Sequence, residues 1–239
     1  PLSSTRIANL QQVYERDPAY NKPIDPALQA RFLRVRGKLI GFVDEPPRVL
    51  ARFPESDQSV PAHYARAYAW HRSAYADAAT GEVDKLLKTA PGDPYFLELK
   101  GQILLESGRV QDAVPVLRLA VRNAPSEPLI MTLLGHALIS TEARAELAEA
   151  EPLLKKAIAR DRENPFAWYQ LGVIYDRKGD EPRAALAAAE RYTLEGNAKG
   201  AAANARLALN GLPKGSPDWI RADDIALVAG DALGKKKKR

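Results

Sequence analysis

A paired-helix pattern recurs at roughly 34-residue spacing between Pro61 and Arg191, and it restricts the possible folds more than any other feature of the chain. One copy runs Pro94, Leu97, Gly101, Leu104, Gly108, Ala113, Leu117, Ala120, Pro125; another runs Pro165, Trp168, Leu171, Gly172, Tyr175, Gly179, Ala184, Ala188. One hairpin of this size cannot bury its own apolar face, so neighbouring copies must stack. The expected architecture is an all-α solenoid of antiparallel helix pairs with helical caps at its N- and C-terminal ends.

Composition agrees with a folded, cysteine-free body. Apolar residues make up 46% of the 239, which argues against disorder. The 35 basic and 30 acidic residues give +5, but Lys235 to Arg239 are all basic, and without them the body balances. Nucleic-acid binding needs excess positive charge along a face of the fold, so the terminal run is read as a solubilising tail. The absence of cysteine excludes a disulfide scaffold, and no apolar run reaches the roughly 18 residues of a membrane span. The start at Pro1, with no initiator methionine or signal-like segment, suggests a processed product or an excised fragment.

Along the chain, residues 1–57 read as an N-terminal helical linker and cap. A first helix carries Ile7, Leu10 and Val13 or Tyr14. A second opens at Asp25-Pro26 with Leu28, Phe32, Val35 and Leu39 on one face, and a third follows Pro46-Pro47. Residues 58–230 read as the repeat domain, with repeats near 61–93, 94–127, 128–164 and 165–197 and C-terminal helices over 198–230. The first repeat is degenerate, with Tyr68 where a glycine is expected. The third carries about three extra residues between Ser140 and Ala148, expected to lengthen the inter-helix turn. A short helix after Ser216-Pro217 places Trp219 over the end of the stack, and 231–239 is expected to be a disordered basic tail.

Gly101, Gly135 and Gly172 occupy equivalent first-helix positions, and Ala113, Ala150 and Ala184 offer the matching small surface on each second helix. Each interior glycine costs about 1 kcal/mol against alanine, which close helix packing must offset. On this reading Gly172→Leu overpacks the contact.

Nothing in the residues points to catalysis or to a metal. His63 and His71 are separated by about 12 Å along one helix, too far to share an ion. His136 is read as a groove or surface histidine. Asp223-Asp224 and Glu149-Glu151 are read as solvated faces, and no nucleophile elbow, P-loop or dinucleotide fingerprint is present.

These marks resemble the tetratricopeptide repeat, a right-handed α-solenoid whose first helices line an inner groove. The resemblance selects Tyr95, Glu98, Gln102, Leu105 and Glu106 from the second repeat. From the third it selects Leu129, Thr132, His136, Ile139 and Ser140, and from the fourth Phe166, Tyr169, Val173, Asp176 and Arg177. Tyr95, Phe166 and Tyr169 are the preferred contacts, because large aromatic side chains bury area while keeping polar edges; Tyr95 and Phe166, near helix starts, alternatively pack between repeats. The surface lacks the Lys and Asn clamp of tetratricopeptide cochaperones, which argues against an acidic chaperone tail as ligand.

Non-repeat segments carry a narrower likeness. Pro1-Leu2-Ser3-Ser4-Thr5-Arg6-Ile7, Lys38-Leu39-Ile40-Gly41-Phe42 before Pro46-Pro47, Tyr64-Ala65-Arg66-Ala67, Asn164-Pro165-Phe166-Ala167-Trp168 and Leu212-Pro213-Lys214-Gly215-Ser216-Pro217-Asp218-Trp219 resemble the C-terminal region of the β-barrel assembly-enhancing protease family. The resemblance implies a periplasmic parent in a Gram-negative bacterium, with a zinc-binding H-E-x-x-H domain preceding this region. None of its zinc ligands maps onto a residue here, so neither catalysis nor a cofactor is expected of this chain. The implied partners are the parent's own protease domain and outer-membrane protein clients or the β-barrel assembly machinery, with no nucleic acid. A freestanding scaffold for envelope protein–protein interactions is the alternative.

Overall fold

The computed structural model describes residues 3–20 and 22–236, without the side chains of 235 and 236. Pro1-Leu2 of the opening motif and residues 237–239 of the expected tail lie outside the described residues. Thirteen helices and no strand are present among the described residues. They form two compact units, 1–73 and 74–239.

The first unit contains α1 (Ser4–Glu15), α2 (Pro26–Val43), α3 (Pro46–Arg52) and α4 (Val60–Arg72). Asp25 caps α2 by accepting from the Ala27 N–H, and Pro26 supplies the preset first-turn φ. The face of α2 that packs is not the apolar stripe: Leu28, Phe32, Val35 and Leu39 are exposed, while Gly37 and Gly41 are buried. A Cβ on Gly37 would lie 2.5 Å from the Pro61 carbonyl oxygen, and one on Gly41 would lie 2.6 Å from that of Ala65. The two glycines thus let the α2 and α4 backbones meet, and Ala62, Ala65 and Ala69 complete the small surface on α4. This contact explains why α4, expected to pair within a repeat spanning 61–93, belongs to the unit that ends at Ser73. The unit boundary therefore falls 16 residues beyond the expected 57/58 division. Arg66 is buried at 1% exposure and ties down the segment before α4, its guanidinium donating to the Pro54 and Asp57 carbonyls at 2.9 and 2.8 Å. No residue of α1 is buried, and Ile7, Leu10 and Val13 lie open.

The second unit contains α5 (Ala76–Thr89), α6 (Pro94–Glu106), α7 (Val110–Asn123), α8 (Pro128–Ser140), α9 (Arg144–Arg160), α10 (Pro165–Arg177), α11 (Glu181–Leu194), α12 (Ala198–Gly211) and α13 (Pro217–Lys236). Asp93 caps α6 by accepting from the Tyr95 and Phe96 N–H groups, and Asn164 caps α10 by accepting from Phe166 and Ala167. Pro94, Pro128 and Pro165 each open a first helix. The hairpins α6/α7, α8/α9 and α10/α11 stack through one core that runs from Leu104 and Leu117 through Leu138 and Leu154 to Leu171 and Ile174. The third-repeat insertion does not lengthen the turn. It extends α9 to 17 residues, because Arg144-Ala145-Glu146-Leu147-Ala148 are good helix formers. The tight turns at Gly108 and Gly179 use left-handed backbone, and Glu142 adopts the same conformation at φ 60°.

The interior glycines meet leucines rather than the expected alanines. Added Cβ atoms would come within 2.3 Å of Leu117 Cδ2 at Gly101 and 2.7 Å of Leu154 Cδ2 at Gly135. At Gly172 the nearest atom is Ala187 Cβ at 3.5 Å, an ordinary contact, so an added Cβ alone does not overpack the helix pair there.

Beyond α10 the packing order shifts. α11 pairs with α10 and more extensively with α12, and it also touches α13, while α12 has no comparable packing against α10 among the described residues. One helix therefore serves two hairpins, and a separate alanine-rich core joins α11, α12 and α13, with Trp219 packed against it. α13 is not short and does not fray after Gly230. Ala226, Ala229 and Leu233 keep one face on that core and carry the helix to Lys236.

Candidate protein-binding surface

The contacts of α6 with α8 and of α8 with α10 align the first helices of three hairpins. Their outward positions form a row, and the residues selected from the sequence divide along it. Leu129, Tyr95, Phe166 and Tyr169 are exposed, at 61%, 42%, 42% and 46%. Asp176 is exposed, and Glu98, Gln102, His136 and Val173 are half-buried. Gln102 donates to Glu106 at 2.9 Å, and exposed Arg177 donates to the Ile139 carbonyl at 2.9 Å, bridging α10 to α8.

Three selected residues fall elsewhere. Thr132 is buried, its hydroxyl turned back to donate to the Pro128 carbonyl at 2.8 Å, so it cannot meet a ligand. Leu105 and Ile139 join the hydrophobic core. At the ends of α6 and α8 the next hairpin covers the positions assigned to the groove.

The fourth repeat gathers the aromatic groups. His136 on α8 meets Phe166 on α10 edge-on, with ring centres 5.3 Å apart. Phe166 stacks on Tyr169 at 6.3 Å, and the Arg191 guanidinium from α11 lies over Tyr169 at 5.4 Å and over Tyr192 at 4.4 Å. Each such contact contributes about 1 kcal/mol, enough to hold the rings in place while Phe166 and Tyr169 stay 42% and 46% exposed. Burial holds the His136 imidazole below its ordinary pKa, against a smaller opposing pull from Glu106. The Phe166 contact also satisfies the alternative reading, because the ring packs between repeats and remains exposed. Tyr95 lies on α6, away from this cluster's helices.

Arg191 was not among the residues selected from sequence. The available signal was its position: Ala120 and Ala157 stand at the equivalent point of the preceding second helices. Beside it, between α10 and α11, opens a cleft of about 220 Å³. A second cavity of about 330 Å³ lies against α12 and α13, lined mainly by Ala198, Ala201, Ile225 and Val228. Among the described residues no group of three or more His, Cys, Asp or Glu is arranged to hold a metal ion, and no helix is long and apolar enough to cross a membrane.

Comparison with known proteins follows the hairpin geometry. Two family profiles described as tetratricopeptide repeat match residues 82–128 and 153–185. The fold is that of a tetratricopeptide-repeat protein. A solved structure titled "MamA RS-1 ArsTM double mutant" is similar at 26% identity over 70% of this chain and 94% of that one, with a TM-score of 0.54. MamA residues 41-end from Desulfovibrio magneticus RS-1 are similar at 24% identity over 71% and 95%, with a TM-score of 0.55. YrrB, described as a tetratricopeptide-repeat protein with an unusual peptide-binding site, shares the fold at 19% identity over 71% and 88%, with a TM-score of 0.55. No curated protein sequence gives a significant match.

Proposed function

We propose that this chain is a non-catalytic module that holds an unfolded or extended polypeptide across its fourth repeat. The observation that carries this reading is the open row His136, Phe166, Tyr169 and Arg191, drawn from α8, α10 and α11. Ordered, half-exposed aromatic rings beside a cation bury large area on a partner at little entropic cost. A freestanding scaffold for envelope protein–protein interactions is the broader form of this proposal.

The narrower form places the module in the periplasm, joined to the catalytic domain of a zinc metalloprotease and presenting outer-membrane protein clients or the β-barrel assembly machinery to it. The open apolar stripes Leu28, Phe32, Val35 and Leu39 on α2 and Ile7, Leu10 and Val13 on α1 favour a further polypeptide surface against the first unit. Site-specific photocrosslinking from position 169 in a Gram-negative envelope tests both forms. Adducts with unfolded outer-membrane proteins that vanish in Phe166→Ala support the module reading. A crosslinking pattern identical to that from exposed position 207 on α12 overturns it.

A further inference from the structure

The three stacked hairpins carry the same notch with different contents. Over Gly101 the notch is filled by Leu117, and over Gly135 by Leu154. The equivalent residue over Gly172 is Ala188, which leaves the notch open as the cleft between α10 and α11. Its lining includes Tyr169, Gly172, Val173, Ala184 and Ala188, with Arg191 in place of the alanine that the two preceding hairpins carry. Two departures within one hairpin thus remove a leucine side chain and add a cation.

We infer that this cleft seats one bulky aliphatic side chain of the bound polypeptide, with the Arg191 guanidinium donating to a main-chain carbonyl beside it. The inference rests on the proposed polypeptide-binding role and adds the class of residue recognised. Its physical basis is internal precedent: leucine occupies the same site twice in this molecule, packed against glycine. A leucine, isoleucine or methionine from a partner restores that packing, whereas alanine leaves the walls uncovered. Val173 and the Tyr169 ring provide the apolar sides.

Arg191 is suited to the second contact. Its Nε makes no hydrogen bond among the described residues, and the nearest carboxylate oxygen, on Glu195, is 3.8 Å away. Turning the guanidinium toward the cleft breaks no hydrogen bond at that nitrogen. The guanidinium already lies over the rings of Tyr169 and Tyr192, and Tyr169 lines the cleft with it.

The test uses fluorescent dodecapeptide pools, random except for a fixed central Leu, Ile, Met, Ala or Asp, titrated against the full chain. Pools with Leu, Ile or Met should bind about tenfold more tightly than the Ala pool. Ala188→Leu, which rebuilds the arrangement of the two preceding hairpins, should erase that preference while the thermal midpoint stays level or rises. Ala188→Val serves as a smaller filling if the leucine variant unfolds. Arg191→Met should weaken every pool about fivefold and leave the Leu-to-Ala ratio unchanged. Equal binding of all pools, or a preference that survives the filled cleft, overturns this inference and leaves the proposed function standing if Phe166→Ala still abolishes binding. No binding of any pool overturns both.

Discussion

Arg221 on α13 grips the carboxylate of Glu190 on α11 with two hydrogen bonds of 2.5 and 2.7 Å. The Glu190 side chain is 8% exposed and the Arg221 side chain 52% exposed, so removing the arginine strands a buried anion. Arg221→Met should lower stability by about 1–3 kcal/mol, toward the lower end because solvent reaches the arginine. Glu190→Gln together with Arg221→Met should recover part of the loss. Urea unfolding of the wild type and the two variants checks this; equal midpoints for wild type and Arg221→Met would show that the pair contributes nothing.

The glycines make opposite predictions by location. At Gly41 an added methyl meets the Ala65 backbone, which cannot swing aside, so Gly41→Ala should cost about 1–3 kcal/mol. At Gly172 the neighbours stand at ordinary contact distance, and Gly172→Ala should instead gain up to about 1 kcal/mol from helix propensity. Thermal midpoints moving in the same direction would contradict the packing described for one of the two helices.

His136 predicts a pH dependence. Burial lowers its folded-state pKa below the ordinary imidazole value, so between the two values the unfolded chain binds more protons. Stability therefore rises with pH through that window, and it is lost as pH falls below about 6.5. Between pH 7 and 5 the wild type should lose more thermal stability than His136→Asn. Parallel curves would place the imidazole in a water-like setting.

Glu142 holds a left-handed conformation that Gly108 and Gly179 adopt in the equivalent turns. This backbone costs an L-residue roughly 1–2 kcal/mol, part of which glycine returns as lost chain entropy. Glu142→Gly should raise the unfolding midpoint modestly, by less than about 1 kcal/mol in free energy. A lower midpoint would mean that the glutamate side chain contributes more than the backbone conformation costs.

Much of the second unit was legible because hairpin identity is local. First-turn prolines such as Pro94 and Pro165 and the turn glycines Gly108 and Gly179 act within a few residues of themselves. The face buried by α2 was not legible, because hydrophobic periodicity points to Leu28 and Phe32 while backbone approach selects Gly37 and Gly41. Short side chains won there by allowing the main chains to meet. The extra residues of the third repeat were visible, but helix propensity decided that they lengthen α9 rather than the turn. At the candidate surface, Leu129 is exposed and His136 half-buried, whereas Thr132 is turned onto its own backbone and Ile139 is covered by the neighbouring hairpin. In the sequence Ala188 counts among the marks of the repeat and Arg191 carries no signal of its own; the cleft they leave emerges only when the glycine and leucine pairs of the preceding hairpins show what is missing.

Because α11 forms one wall of the aromatic cleft and also the first layer of the C-terminal helices, any displacement of that wall is shared with the alanine-packed end of the molecule. The wall of the seat is thus backed by α12 and α13 and their alanine-rich core, not by another repeat of the preceding kind.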